Sequence, residues 1–284
     1  STSIEEMARA AGSQAWFQLY FGASAEASLA MVERARVAGF DTLILTVDVP
    51  QVSRRVRDLR NGFKVPFSIT PKVFWDLATH PRWSLGTLLA GAPRPMNFTD
   101  SKGNNTFDRD ASRSGADWSF MEVLRDKWQG NLVIKGLTSA EDAHRVQSLG
   151  ADAIYVSNHG ARQLDSVPPA IRLLPLIRDA VGPDFPLLFD SGIRNGEDVI
   201  KALALGANFV MLGRPALFAI GADGSDGLHA LLKCFETDIT AVMAQLGVSS
   251  ISQLGADAIF DDNEHISKSG NKNKDSFMAS QKKP

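Results

Sequence analysis

Six short apolar runs, separated by amphipathic stretches, constrain this chain more than any other feature. Residues 15–20, 42–47, 131–135, 153–156, 186–190 and 208–212 read as strands, and residues 25–38, 139–149, 169–181, 196–205 and 227–246 as helices. Most of the strands are apolar at successive positions, so both faces are expected to be buried. A parallel sheet covered by crossover helices requires that pattern. Ser139 is placed to cap its helix. Gly150-Ala151 and Gly206-Ala207 mark helix ends just before the next strand. The start, Ser1-Thr2-Ser3-Ile4-Glu5-Glu6, reads as a capped helix with acidic residues in its first turn.

Two architectures fit such an alternation, a doubly wound sheet and a (β/α)8 barrel. No Gly-x-Gly-x-x-Gly follows the first strand, which disfavours a dinucleotide-binding sheet. Polar candidates follow the strands all round the chain: Gln18 and Tyr20, Thr46 and Asp48, Lys135, Ser157 and His159, Asp190, then Gly213 and Arg214. A barrel places its functional residues at those ends and often binds a phosphate after its last strands. The expected fold is therefore an α/β (β/α)8 TIM barrel, with six of its eight strand–helix units in this sequence. The barrel domain is assigned to residues 1–260, with a disordered Lys-rich tail at 261–284.

Residues 49–118 interrupt the rhythm and are too long for an ordinary connection. Between residues 64 and 98, Lys64, Lys72, Arg82 and Arg94 face the single acid Asp76, among Phe67, Phe74, Trp75, Trp83 and Phe98. The later part, from Asp100 to Asp117, is rich in Ser, Asn, Gly and Asp and is expected to be mobile. A basic, aromatic-rich segment suits a bilayer interface, and it equally suits a lid over a barrel mouth. A formal net charge of −2 gives no sign of a nucleic-acid partner, and Cys234 as the only cysteine rules out a disulfide framework. The scattered histidines make a metal site unexpected. His80, His144, His229 and His265 read as surface or structural residues, and Trp16, Trp128 and the strand phenylalanines as core.

Ser157-Asn158-His159-Gly160-Ala161-Arg162-Gln163-Leu164-Asp165 carries the clearest chemistry. A histidine at a strand end, with an arginine three residues on, sets a proton acceptor beside a fixed cation. The guanidinium fork can clamp a carboxylate while the imidazole takes a proton from the neighbouring carbon or hydroxyl, so the pair suits a small hydroxy-carboxylate. The same residues also read as an ordinary strand-to-helix turn with solvated side chains. Lys135 likewise reads as a solvated strand end, and Asp48 as a turn cap before Pro50. Asp190-Ser191-Gly192-Ile193-Arg194 is more telling, because a glycine between Asp and Arg permits close backbone approach to an anion.

Taken together, these pieces resemble the FMN-dependent α-hydroxy-acid oxidases and dehydrogenases, the family of glycolate oxidase, L-lactate dehydrogenase and mandelate dehydrogenase. The resemblance rests on Trp16-Phe17-Gln18-Leu19-Tyr20, Leu45-Thr46-Val47-Asp48, Arg54-Arg55, Val133-Ile134-Lys135-Gly136, residues 157–165, residues 190–194 and Leu212-Gly213-Arg214, which occur in family order. It implies His159 as the base at the substrate α-carbon or hydroxyl, with Asp48 pairing with it and stabilising its protonated form. It implies Arg162 with Tyr20 on the substrate carboxylate or hydroxyl, and Arg55 near the same site. Lys135 would stand at the flavin N1–C2 carbonyl edge. Gln18, Thr46 and Ser157 would bond the isoalloxazine or ribityl groups, and Asp190 the ribityl hydroxyls. Gly192, Arg194, Gly213 and Arg214 would hold the FMN phosphate.

The implied activity is oxidation of an L-2-hydroxy acid to the 2-oxo acid, with electrons passing to a quinone or other acceptor. An oxidase forming hydrogen peroxide, an inactive incomplete barrel and another phosphate-binding barrel such as a flavin-dependent isomerase are the alternatives. In the family the chain begins further upstream with two more barrel strands, so the resemblance implies that this sequence is a piece of the enzyme. His80-Pro81-Arg82-Trp83-Ser84 is similar to the membrane-associated bacterial lactate and mandelate dehydrogenases. That similarity implies a cytoplasmic enzyme with peripheral membrane contact through residues 64–98. A homotetramer is the family's common assembly.

Overall fold

The first strand, β1 (Phe17–Tyr20), is followed by a helix whose ends are written into the sequence. Ser24 accepts a hydrogen bond from the Ala27 amide at the start of that helix, and Gly39 closes its end in the left-handed region. In the computed structural model, residues 2–53, 60–62, 68–91, 95–98 and 112–259 are described. They belong to two compact units, Ser1–Ser191 and Gly192–Pro284.

The first unit contains, in order, α1 (Ile4–Ala11), β1, α2 (Ala25–Ala38), β2 (Thr42–Thr46), α3 (Pro71–Thr79), α4 (Pro81–Ala90), α5 (Trp118–Lys127), β3 (Asn131–Leu137), α6 (Ala140–Ser148), β4 (Ala153–Val156), α7 (Ala170–Val181) and β5 (Leu187–Phe189). All its strand pairs are parallel and join neighbours in the sequence. Every residue of β2, β4 and β5 is buried, which is why those runs are apolar on both faces. The register sets Tyr20 opposite Thr46, Thr46 opposite Lys135, and Lys135 opposite Tyr155. Side chains of four consecutive strands therefore start from one row near the strand C-termini, where this fold gathers its chemistry. The second unit continues the alternation with α8 (Gly196–Ala204), the short strand β6 (Phe209–Val210) and α9 (Arg214–Leu246). In it Gly196 lies so close to Asp238 and Ile239 that a Cβ would sit 2.5 Å from their atoms. The six consecutive parallel β/α units make this a partial (β/α)8 barrel.

Several sequence expectations are corrected. Helix α5 was not foreseen, because its stretch adjoins the atypical segment. Asp117 caps it by accepting from the Phe120 amide, and Phe120, Met121 and Leu124 are buried. The last helix begins at Arg214 rather than Gly227, with Pro215 in its first turn and a break at Asp223 and Gly224. Strand β3 runs past Lys135 to Leu137 through a bulge, whereas β6 keeps only two residues. Trp128, Phe17 and Phe189 are core residues as read, but Trp16, just ahead of β1, and Phe209 on β6 are exposed.

Helices α3 and α4 occupy part of the atypical segment, and neither has a buried residue. Leu88 is 77% and Leu89 89% exposed, and Phe74, Trp75, Trp83 and Leu85 are exposed as well. Lys64, Phe67, Arg94, most of 100–117, His265 and the 261–284 tail lie outside the described residues. No helix among the described residues is long and apolar enough to cross a membrane.

Candidate active site

The turn after β4 builds the centre of the site. Ser157 is fully buried, and Asn158 caps the turn His159–Ala161 by accepting from the Ala161 amide through its side chain at 3.2 Å. His159, Gly160 and Ala161 all have positive φ, at 57°, 62° and 59°. Only glycine enters that region freely. A non-glycine residue held in a sparsely populated conformation costs about 1–3 kcal/mol and persists where surrounding contacts over-determine it.

The imidazole that this turn presents meets Asp48, which lies just past the end of β2. Nδ1 of His159 is 3.2 Å from each carboxylate oxygen. A carboxylate accepts, so Nδ1 carries a proton, and in the neutral imidazole the lone pair is on Nε2, where it can take another. Both side chains are less than one-fifth exposed. Tyr20, at the end of β1, stands with its ring 6.3 Å from the imidazole. The Gln18 amide donates to the Thr46 hydroxyl at 2.7 Å and lies 3.4 Å from the Tyr20 hydroxyl.

The bulge in β3 permits this pairing. At Gly136, with φ at 101°, a Cβ would lie 2.5 Å from Cβ and Cγ of Asp48. Gly136→Ala is therefore expected to push Asp48 off His159 and to destabilise the protein by at least about 1 kcal/mol, since alanine also resists that backbone angle. Thermal melting checks the second effect and the Nδ1 proton resonance of His159 the first. A melting temperature equal to the parent's would rule out the crowding.

Beside the His159–Asp48 pair lies a buried charged cluster. Lys135 is 6% exposed, so its reading as a solvated strand end is corrected. Its Nζ donates to Ser157 Oγ and to Asp190 Oδ2, each at 2.9 Å, and stands 3.8 Å from the centre of the Tyr155 ring. The Tyr155 hydroxyl also donates to Asp190 Oδ2, at 2.9 Å, and Ser191 donates to Asp190 Oδ1 at 2.8 Å. Burial works to raise the Asp190 carboxyl, but the Lys135 charge and hydrogen bonds from Ser157, Lys135 and Ser191 prevail and hold it below the usual carboxylate range. Burial, then the neighbouring Asp190 charge, pushes the Tyr155 phenol far up, so it remains a donor.

Gln18, Tyr20, Thr46, Asp48, Lys135, Ser157, His159 and Asp190 are thus at the C-terminal ends of the first unit's strands, in two groups of contacts joined by the His159 amide, which donates to Ser157 Oγ. Arg162 follows the turn with an exposed side chain, and its carbonyl accepts from the Ser53 hydroxyl at 2.8 Å. Arg55 lies outside the described residues. Gly192, Arg194, Gly213 and Arg214 belong to the second unit. There the Arg194 amide donates to Asp198, and Gly213 precedes the first turn of α9. Two participants escaped the sequence reading. Tyr155 passed as one more apolar strand residue, and Ser191 stood inside a recognised motif without a role.

The full matched span, residues 1–261, fits the model of the FMN-dependent dehydrogenases. The chain belongs to that family, the FMN-dependent α-hydroxy-acid dehydrogenases and oxidases. It is 39% identical over 269 residues to L-lactate dehydrogenase of Pseudomonas entomophila strain L48, covering 90% of this chain and 69% of the relative. It is 41% identical over 260 residues to (S)-mandelate dehydrogenase of Pseudomonas putida, covering 90% and 65%. The crystal structure of the monotopic membrane protein (S)-mandelate dehydrogenase superposes with a TM-score of 0.87 at 39% identity, covering 92% of this chain and 70% of that one. The chain therefore spans about two thirds of the length of these relatives. FMN is the cofactor that family membership implies. The donor set fits such a group: a buried cation, an amide and hydroxyls converge at the strand ends, matching the acceptors and the N–H of a flavin's polar edge.

Proposed function

We propose that this chain carries the catalytic region of an enzyme that oxidises an L-2-hydroxy acid, of lactate or mandelate type, to the 2-oxo acid. One observation bears most of the weight: the His159 imidazole, held through Nδ1 by both oxygens of Asp48, leaves Nε2 to accept a proton. FMN, when bound, supplies the two-electron acceptor. His159 takes the proton from the substrate's α-carbon or hydroxyl, and the Asp48 carboxylate offsets the charge that the imidazole gains. Tyr20, next to the ring, is assigned to the substrate hydroxyl or carboxylate, and Arg162 to the carboxylate, where a guanidinium fork binds in two places. Arg55 is assigned to the same carboxylate on family resemblance. Gln18, Thr46, Lys135, Ser157 and Asp190 are assigned to the flavin ring and ribityl chain. Gly192, Arg194, Gly213 and Arg214 are assigned to its phosphate.

The visible spectrum tests this reading. The FMN-loaded chain, kept free of oxygen, is expected to lose its flavin absorption when L-lactate or (S)-mandelate is added. A loaded chain whose spectrum responds to no 2-hydroxy acid would sink the proposal.

The preferred electron acceptor is a quinone, reached from a membrane surface. The exposed apolar side chains of α3 and α4 favour it, with Lys72 and Arg82 among them, and so does the likeness to a monotopic membrane protein. Replacing Trp75 and Trp83 together by alanine is expected to lower partitioning onto anionic lipid vesicles at least about tenfold, since burying one large apolar side chain is worth more than 1.4 kcal/mol. Sedimentation with the vesicles measures this. Rapid peroxide formation in air, without an added acceptor, would instead favour the oxidase.

A further inference from the structure

Among the described residues, three non-glycine residues have positive φ, namely His159, Ala161 and Ser191, the last at 83°. All three belong to one small group of contacts. The Ser191 hydroxyl donates to Asp190 Oδ1 at 2.8 Å and accepts from the amides of Asn158 at 3.2 Å and Gly160 at 3.0 Å. It thus uses its one donor and both acceptor sites. The two amides flank that of His159, which donates to Ser157 Oγ at 3.0 Å. Three successive amides of the turn are therefore held by two serine hydroxyls, and those hydroxyls are themselves fixed by the Lys135–Asp190 pair.

Glycine would adopt the Ser191 backbone angle without strain, but it has no hydroxyl. The contacts give a reason for keeping the strained residue. We propose that Ser191 is a positioning residue. Its hydroxyl clamps the Asn158 and Gly160 amides and so keeps the His159 imidazole aligned on Asp48 for proton transfer. The inference rests on the reading of His159 as the base. It extends that reading by giving the base a fixed support on β5's following turn. The buried ion pair then acts on His159 through this support as well as through space.

Two variants separate the hydroxyl from the strain. Ser191→Ala removes the hydroxyl and keeps the unfavourable backbone, whereas Ser191→Gly removes both. Amide hydrogen exchange of Asn158 and Gly160, with the Nδ1 proton resonance of His159, is measured in the chain without FMN. The rate of flavin reduction and the FMN dissociation constant are measured in the loaded chain. In both variants the two amides are expected to exchange about tenfold faster, the size of effect that loss of one hydrogen bond produces. The Nδ1 proton should shift or broaden. Flavin reduction should slow about tenfold, beyond any change in FMN affinity that follows from the lost Ser191–Asp190 hydrogen bond, and Ser191→Gly should melt no lower than Ser191→Ala.

A purely steric role predicts otherwise: Ser191→Gly would match or exceed the parent in every respect. Unchanged exchange, an unchanged Nδ1 resonance, or faster exchange with a parent-like reduction rate would overturn the clamp. If the parent itself oxidises no 2-hydroxy acid, the functional reading falls, while the exchange and resonance measurements still decide on the clamp.

Discussion

His159→Gln is expected to slow flavin reduction by a 2-hydroxy acid about 100- to 10,000-fold, the usual contribution of a placed general base. Glutamine retains polarity and much of the volume, and its amide can still donate toward Asp48. It cannot accept and carry a proton at neutral pH. FMN affinity should stay within about twofold of the parent, because the residues assigned to the flavin are untouched, so the loss should appear in the chemical step. Stopped-flow absorbance under anaerobic conditions, alongside an FMN titration, separates the two. A variant that reduces its flavin at the parent rate would remove His159 from the mechanism. An Asp48→Asn variant should fall in the same direction, since an amide does not favour the protonated imidazole as a carboxylate does.

Asp190→Ala is expected to have the largest effect on stability. Lys135 and Asp190 have side chains 7% and 18% exposed, so removing the carboxylate leaves an ammonium group buried without its counter-charge. Breaking such a pair costs about 3–5 kcal/mol, more than the pair itself need contribute. Adding Lys135→Met to Asp190→Ala removes the stranded charge and should recover much of the loss, which chemical denaturation of the parent and both variants would reveal. If the single variant is as stable as the parent, the cluster is not charged as drawn. The pH dependence follows from the same contacts. The folded state holds the Asp190 carboxyl below its unfolded value. Its contribution is therefore complete above the ordinary carboxylate pKa of about 3.9 and is lost as pH falls through the lower folded value. Asp190→Ala should flatten that acid limb of the stability curve.

Much of the fold and part of the site were legible because parallel strands leave a plain trace. Runs such as Thr42–Thr46 and Ala153–Val156 are buried on both faces and so cannot alternate. Once those runs are read as barrel strands, residues just past their ends become candidates. Asp48 and His159 could thus be singled out together although 111 positions separate them. The interior below was not legible. Tyr155 looks like any other large residue in an apolar run, and only the register opposite Lys135 shows that its hydroxyl reaches Asp190. Ser191 gave no signal because its role depends on a backbone angle and on amides more than thirty residues earlier. Helix α5 was lost to a different effect. A stretch that breaks the repeat invites a loop assignment, although Asp117 and the buried Phe120, Met121 and Leu124 carry an ordinary helix signature.

The two short helices α3 and α4, of 9 and 10 residues, bury none of their own side chains. Helices below about 12–15 residues are marginal in water when nothing packs against them. Their coil–helix balance is therefore tied to whatever they touch, and part of any docking free energy is consumed in ordering them. Attachment through this stretch would be correspondingly reversible, and a rise in circular dichroism would count the molecules attached.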